Sequence, residues 1–273
     1  MASDLLESFI LAFLARSESR VCAGDLIRAC TKHSGAGRHA VKRALKDLVA
    51  AGQIHYTNLF GCTQVDLAWS RPHRVSPRIL LYPGDFPANH QLPSDAMILR
   101  IAGGAAFGAG DHPTTRLSLQ ALDALFTEKR IARGVAVLDI GTGTGVLAIG
   151  AVLLGAGTAL ALDIDPCALW EAKENVALNN LALRIRVSAD PVEDLVETFN
   201  LIIANLRLPT LLRLTPTVDH LLATKGVAVV SGIRPEETDA LLKHWSALGL
   251  KPCWREEQQG WAGIGFCRDG KRG

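Results

Sequence analysis

The chain has 273 residues, 48% hydrophobic, 21% charged and 5% aromatic, a balance that sustains a buried core and excludes disorder as the main state. Its 29 Lys and Arg against 27 Asp and Glu give a formal net charge of +2, so no global charge argument points to nucleic acid. The split along the chain is more informative: residues 1–79 hold 11 basic and 6 acidic side chains, and residues 80–273 hold 18 and 21. Cys22, Cys30, Cys62, Cys167, Cys253 and Cys267 show neither a Cys-x-x-Cys pair nor zinc-like spacing with histidine, which predicts reduced thiols in a cytoplasmic protein and no metal site. Acidic residues inside the first apolar stretch are unlike a signal peptide. The apolar run Val146 to Leu154 is far too short to cross a bilayer.

In chain order, Leu5, Leu6, Phe9, Ile10, Phe13 and Leu14 recur at three- and four-residue spacing and predict a helix over Asp4 to Ala15. Further helices are expected over Ala23 to Thr31 and over Arg38 to Ala51, the latter stopped by Gly52. Gln53 to Thr57 and Thr63 to Leu67 are β-compatible, with a turn between them. Three helices followed by a hairpin is the order of a winged helix. A linker rich in Arg, Ser and Pro follows over Trp69 to Arg78. Short strands are expected at Ile79 to Tyr82 and Met97 to Ile101, and then a helix from near Thr115.

From Ala136 onward strands and helices alternate strictly. Strands are expected at 136–140, 159–163, 185–188, 199–205 and 226–232, separated by helices at 145–154, 166–179, 209–222 and 236–248, with a closing hairpin at 251–268. The fold class is therefore α/β. A seven-stranded Rossmann-like domain with an antiparallel edge is preceded by a small winged-helix-like α+β domain. The expected division is 1–68 for the first domain, 69–96 for a linker and connecting segment, and 97–273 for the second.

The strongest local signal is Val137-Leu-Asp139-Ile-Gly141-Thr142-Gly143-Thr-Gly145, a buried strand that empties into a glycine-rich turn and a helix. Glycines let backbone amides approach a ligand, and a helix N-terminus favours an anion or carboxylate. Asp163 ends the next strand, where an acid is placed to take both hydroxyls of a ribose. Gly143, Gly145 and Ala148 also satisfy the dinucleotide form Gly-x-Gly-x-x-Ala. The first glycine after the strand is Gly141, however, and the preceding acid, Asp139, suits an aminoacyl ammonium better than a pyrophosphate. That favours S-adenosylmethionine.

A second signal is Phe107-Gly-Ala-Gly-Asp-His112-Pro-Thr114-Thr115, which also reads as a turn and helix cap. A third is Asn205 at a strand end, where an amide carbonyl can aim an amine lone pair at a methyl donor. It also reads as an Asx turn. With Asp163-Ile164-Asp-Pro166 and Ser231-Gly-Ile233, these motifs in this order resemble the ribosomal protein L11 methyltransferase (PrmA) family over residues 97–268. Ala109 stands where members of that family usually carry Thr.

The resemblance implies a cofactor, S-adenosyl-L-methionine, released as S-adenosyl-L-homocysteine. The residues implied to hold it are Asp139, Gly141, Thr142, Gly143, Gly145, Asp163, Ile164, Asp190, Thr114, Thr115 and Asn205. Phe107, His112, Thr114 and Thr115 would form a loop over the reactive end, with Asn205 facing the incoming amine of a protein substrate. Family members usually carry a ferredoxin-like N-terminal domain in place of the winged-helix pattern seen here.

On the third predicted helix, Arg38, Lys42 and Lys46 lie four residues apart with His39 and Arg43 beside them, opposite the apolar face. Such a stripe serves as a phosphate or partner contact, or as an ordinary solvated face. Two other readings therefore stand beside the protein N-methyltransferase. One is an RNA or DNA methyltransferase gripping its substrate with the winged helix; the other is a DNA-binding regulator that senses S-adenosylmethionine without catalysis. No metal is expected, because His112 is the only histidine in a motif.

Overall fold

The apolar pattern resolves into two units, residues 1–71 and 72–273. They belong to a computed structural model that describes residues 2–17, 21–51, 53–59, 62–67, 72–84, 95–102, 106–108, 110 and 112–268. The first unit runs α1 (Ala2–Arg16), β1 (Val21–Cys22), α2 (Ala23–Ser34), α3 (Arg38–Ala50), β2 (Ile54–Leu59) and β3 (Cys62–Leu67). Its three strands pair antiparallel in the order β1-β3-β2. Leu6, Ile10 and Leu14 of α1, Leu26 and Cys30 of α2, and Val41, Leu45 and Leu48 of α3 close a core over Ile54 and Val65. The spacing of three and four residues puts each trio on one helix face. Helix α2 stops at Gly35, whose left-handed φ of 67° lets its N–H reach the Thr31 carbonyl. Phe60 and Gly61, in the expected turn of the hairpin, lie outside the described residues.

In the second unit β4 (His73–Arg74), β5 (Ile79–Pro83) and β6 (Met97–Ile101) form a three-stranded sheet in that order. Within the stretch read as linker, His73–Arg74 form β4, while β5 lies where a strand is expected and pairs in parallel with β6. The backbone N–H of Arg78 and its guanidinium meet the carboxylate of Asp123, at 3.1 and 2.5 Å. Asp123 is buried in α4 (Pro113–Thr127), so this ion pair ties the strands to the main domain.

The main sheet uses β7 (Ala136–Ile140), β8 (Thr158–Leu162), β9 (Ile185–Ser188), β10 (Phe199–Asn205), β11 (Leu222–Ile233), β12 (Leu250–Gln258) and β13 (Trp261–Arg268). Their order is β12-β13-β11-β10-β7-β8-β9, parallel except for the pairings of β13 with β11 and β12. Helices α5 (Val146–Leu154), α6 (Pro166–Leu178) and α9 (Thr238–Ser246) supply crossovers. The single helix expected over 209–222 is two, α7 (Leu208–Arg213) and α8 (Thr215–Leu221). Pro216, at the start of α8, has no N–H to continue the first helix. A core of aliphatic side chains from β7, β8, β10 and β11 packs with Trp245 and Phe266.

Cys253 and Cys267 depart from the expected reduced thiols. Cys253 and Cys267 form a disulfide between β12 and β13, with Cα atoms 5.9 Å apart. Cys267 lies opposite Lys251 in the hairpin, and Cys253 falls in the bulge between Pro252 and Trp254, a placement no spacing rule encodes. Cys30 and Cys167 are free thiols. No helix among the described residues is long and apolar enough to cross a membrane.

Candidate functional site

Strand order reverses between β7 and β10: from β7 the chain moves through β8 to β9, then returns to β10 on the other side. In such sheets the crevice lies beyond the carboxyl ends of the strands at that reversal. Asp139 lies near the end of β7 and the glycine loop follows it, Asn205 ends β10, and Asp163 follows β8, so these expected residues converge at one end of the sheet.

Within the glycine loop, Gly143 has φ 55°, and a Cβ there would lie 2.2 Å from the Phe107 carbonyl oxygen. The close approach that demands glycine at this position comes from the chain's own Phe107 loop. Thr144 completes the clasp: its N–H donates to the Phe107 carbonyl at 3.0 Å and its hydroxyl to the Gly108 carbonyl at 2.7 Å. Two of the sequence signals are thus one structure. Ala109 and Asp111, within the same motif, lie outside the described residues.

Asp139 is fully buried. Its Oδ2 accepts from the Thr142 hydroxyl at 2.6 Å and from the Ala148 N–H at 3.1 Å, while Oδ1 has no partner. Burial pushes its pKa from the ordinary 3.8 up to about 7; the Thr142 and Ala148 hydrogen bonds oppose the rise, and the nearby charge of Asp163 adds to it. An orphaned buried carboxylate oxygen suits a cationic ligand group, and the ammonium of an aminoacyl moiety fits it. Asp163 accepts from the Gly143 N–H at 2.9 Å and the Asp165 N–H at 3.0 Å. A carboxylate has about four lone-pair directions, so capacity remains for sugar hydroxyls. Ile164 beside it is 93% exposed, an apolar side chain with nothing packed over it. Asp190 is exposed and pairs with Arg186 at 3.5 Å.

On the other side of the crevice, Asn205 is half-buried and its side-chain amide hydrogen-bonds to none of the described residues. The parallel register of Asn205 with Ser231 fixes its backbone. His112, rather than Thr114 or Thr115, caps α4: its Nδ1 accepts from the Thr114 N–H at 3.3 Å and lies 2.8 Å from the Thr114 hydroxyl. An accepting Nδ1 in the neutral ring leaves the proton on Nε2. The hydroxyl of Thr115 is buried without a partner.

The ring of His112 stands edge-on to Phe107 at 5.0 Å and to Trp261 at 5.1 Å, and the Arg234 guanidinium lies 3.8 Å over Trp261. Trp261 reads in sequence as a packing residue; it is buried, and what it packs is the histidine of the loop. Phe107 is 47% exposed. No group of three metal-ligating side chains occurs among the described residues.

A family model described as ribosomal protein L11 methyltransferase (PrmA) matches residues 66–269. The chain belongs to this family. Among the relatives named ribosomal protein L11 methyltransferase, that of Pelobacter propionicus is 37% identical over 198 residues, 72% of this chain and 63% of the relative. That of Geotalea daltonii is 39% identical over 189 residues, 66% and 59% of the two chains. The chain therefore spans about three fifths of the length of the curated relatives it matches. The crystal structure of ribosomal protein L11 methylase from Lactobacillus delbrueckii subsp. bulgaricus superposes with a TM-score of 0.64 at 29% identity, covering 73% of this chain and 99% of that one. The family match leaves out residues 1–65, and with them the basic helix α3.

Asp139 generates a pH prediction. Between its ordinary pKa and about 7 the folded protein holds a proton that the unfolded chain releases, so stability of the ligand-free protein falls as pH rises through that window and levels off above it. Denaturant midpoints across the window should show this fall for the native protein and a flatter profile for Asp139→Asn. Parallel profiles would contradict the assignment.

Proposed function

We propose that the chain is an S-adenosylmethionine-dependent N-methyltransferase acting on a protein amine, a lysine side chain or terminal amine, in the cytoplasm. The observation that carries the reading is the half-buried amide of Asn205, held by its strand and uncommitted to any described residue, across the crevice from the orphaned oxygen of Asp139. The names of the relatives support a protein as the methyl acceptor.

When bound, S-adenosylmethionine supplies an electrophilic methyl group on a sulfonium. Asp139 would hold its ammonium, with Thr142, Gly141, Gly143 and Gly145 shaping the loop around the amino-acid end. Asp163 would take the ribose hydroxyls, with Ile164 against a face of the base and Asp190 at its far edge. Methyl transfer to nitrogen needs a neutral amine aligned behind the methyl carbon, so the protein's part is orientation and exclusion of water. Asn205 Oδ1 accepts an amine N–H and turns the lone pair toward the methyl. Phe107, His112, Thr114 and Thr115 wall the site against solvent, Phe107 with its exposed ring toward the acceptor.

We further propose that residues 1–71 are a winged helix whose α3 meets the phosphate backbone of a duplex, placing the enzyme near a protein acceptor held in a nucleoprotein assembly. Arg38, His39, Lys42, Arg43 and Lys46 are all exposed. At 3.6 residues per turn they occupy a sector of about 140° opposite the buried Val41, Ala44, Leu45 and Leu48, with no acidic residue inside it. Arg38, Lys42, Arg43 and Lys46 form no ion pair with any described residue. Four free cations on one helix face match a row of phosphates better than they match an ordinary salt-bridged surface.

For catalysis, Asn205→Ala should leave binding of S-adenosylhomocysteine by calorimetry within about threefold while label transfer to protein falls on the order of 100-fold. Unchanged transfer would remove Asn205 from the mechanism. For the N-terminal unit, Lys42→Glu with Lys46→Glu should weaken binding to a synthetic duplex, tested as DNA and as RNA. It should also reduce the salt slope of log affinity by about 2. The absence of salt-dependent binding to either duplex would overturn the docking.

A further inference from the structure

Strand β6 is an edge strand among the described residues: it pairs with β5 on one side, through the Met97 N–H to Arg78 and the Gly84 N–H to the Ile101 carbonyl. An exposed edge needs partners for its outward backbone groups. Here they come from side chains of α6 and its C-cap residue, at positions four apart. Asn179 accepts from the Arg100 N–H at 2.9 Å and donates to the Arg100 carbonyl at 2.6 Å. Asn175 accepts from the Ala102 N–H at 2.8 Å, and Glu171 accepts from the Ala106 N–H at 2.9 Å. Residues 171, 175 and 179 lie on one face because the helix repeats every 3.6 residues, and they meet the backbone at Ala106, Ala102 and Arg100 in turn.

One rung differs from the others. The Nδ2 of Asn175 donates to the Thr144 carbonyl at 3.0 Å, and Asn175 is 1% exposed. Thr144 is the residue whose N–H and hydroxyl clasp Phe107 and Gly108. A single buried amide therefore holds the chain entering the acceptor loop with its oxygen and the cofactor loop with its nitrogen.

We infer that Asn175 is a positioning residue for methyl transfer: it registers the Phe107 loop against the glycine loop, and so sets the distance between acceptor and methyl donor. The inference rests on the proposed N-methyltransferase reading for its kinetic arm only. Asn179 serves as the comparison, since it pins the same strand without reaching the glycine loop.

In the cofactor-free full chain, hydrogen exchange should rise about tenfold at Ala102, at 106–108 and at Thr144 in Asn175→Ala, and in Asn179→Ala only around Arg100. Equal patterns in the two variants would overturn the coupling. This arm needs no acceptor, so it decides the coupling even where the proposed chemistry fails. In turnover, Asn175→Ala should lose about 30-fold in kcat with the S-adenosylhomocysteine Kd within about threefold, and Asn179→Ala should keep kcat.

Asn175→Asp retains the acceptor for Ala102 and loses the donor to Thr144. Protonating the new buried carboxyl restores that donor, so its kcat relative to the native enzyme at the same pH should rise as pH falls from about 9 to about 6. A flat ratio, or kcat unchanged in Asn175→Ala despite a lowered melting temperature, would reduce Asn175 to scaffolding.

Discussion

The carbonyl of Phe107 occupies the space that any side chain at position 143 would need, and the two loops of the site cannot be placed independently. Gly143 must lack a Cβ for the Phe107 loop to dock. Thr144 must follow it to supply the N–H and hydroxyl that receive two successive carbonyls. Asn175 and Glu171 then hold the opposite sides of the same junction. The glycine loop follows β7 and the Phe107 loop follows β6, which belong to different sheets. The clasp is thus where the small sheet and the large one are joined at the crevice, with the Arg78 to Asp123 pair as a second tie.

Around this junction the polar groups divide by commitment. Asn175, Asn179 and Thr144 spend their hydrogen bonds on backbone, as buried polar groups do, and Glu171 Oε1 accepts from the Ala106 N–H. Asp139 Oδ1 and the Thr115 hydroxyl are buried without partners, and Asn205 is half-buried with its amide uncommitted. Unsatisfied polar atoms of this kind cost stability, and a ligand bound in the crevice would complete those that face it. The raised pKa of Asp139 is the electrostatic form of the same cost, and a bound ammonium would offset it.

Much of the crevice is legible in sequence because it depends on local pattern. Strand, glycine turn and helix at 137–154, and an acid at the end of the next strand, follow from period and punctuation alone. Asn205 at the end of β10 is found the same way. What is hidden depends on which elements meet. The segment read as a linker over Trp69 to Arg78 contains β4, and the parallel pairing of the expected strand β5 with β6 shows only when the two are laid side by side. The ladder of Glu171, Asn175 and Asn179 looks like an ordinary polar helix face until β6 is laid beside it. The Cys253 to Cys267 disulfide needs the hairpin register and its bulge. His112 reads as a member of a motif, but its place between Phe107 and Trp261 joins residues some 150 positions apart in the chain.

The central claim is that this crevice transfers a methyl group to a protein amine. The most direct measurement is to incubate the purified full chain with methyl-labelled S-adenosylmethionine and a bacterial lysate, then to partition the label by protease and nuclease sensitivity. The account predicts label in the protease-sensitive fraction, stable to nuclease, and recovered as N-methyl amine after hydrolysis. Label lost to nuclease would contradict it and make the nucleic acid itself the acceptor.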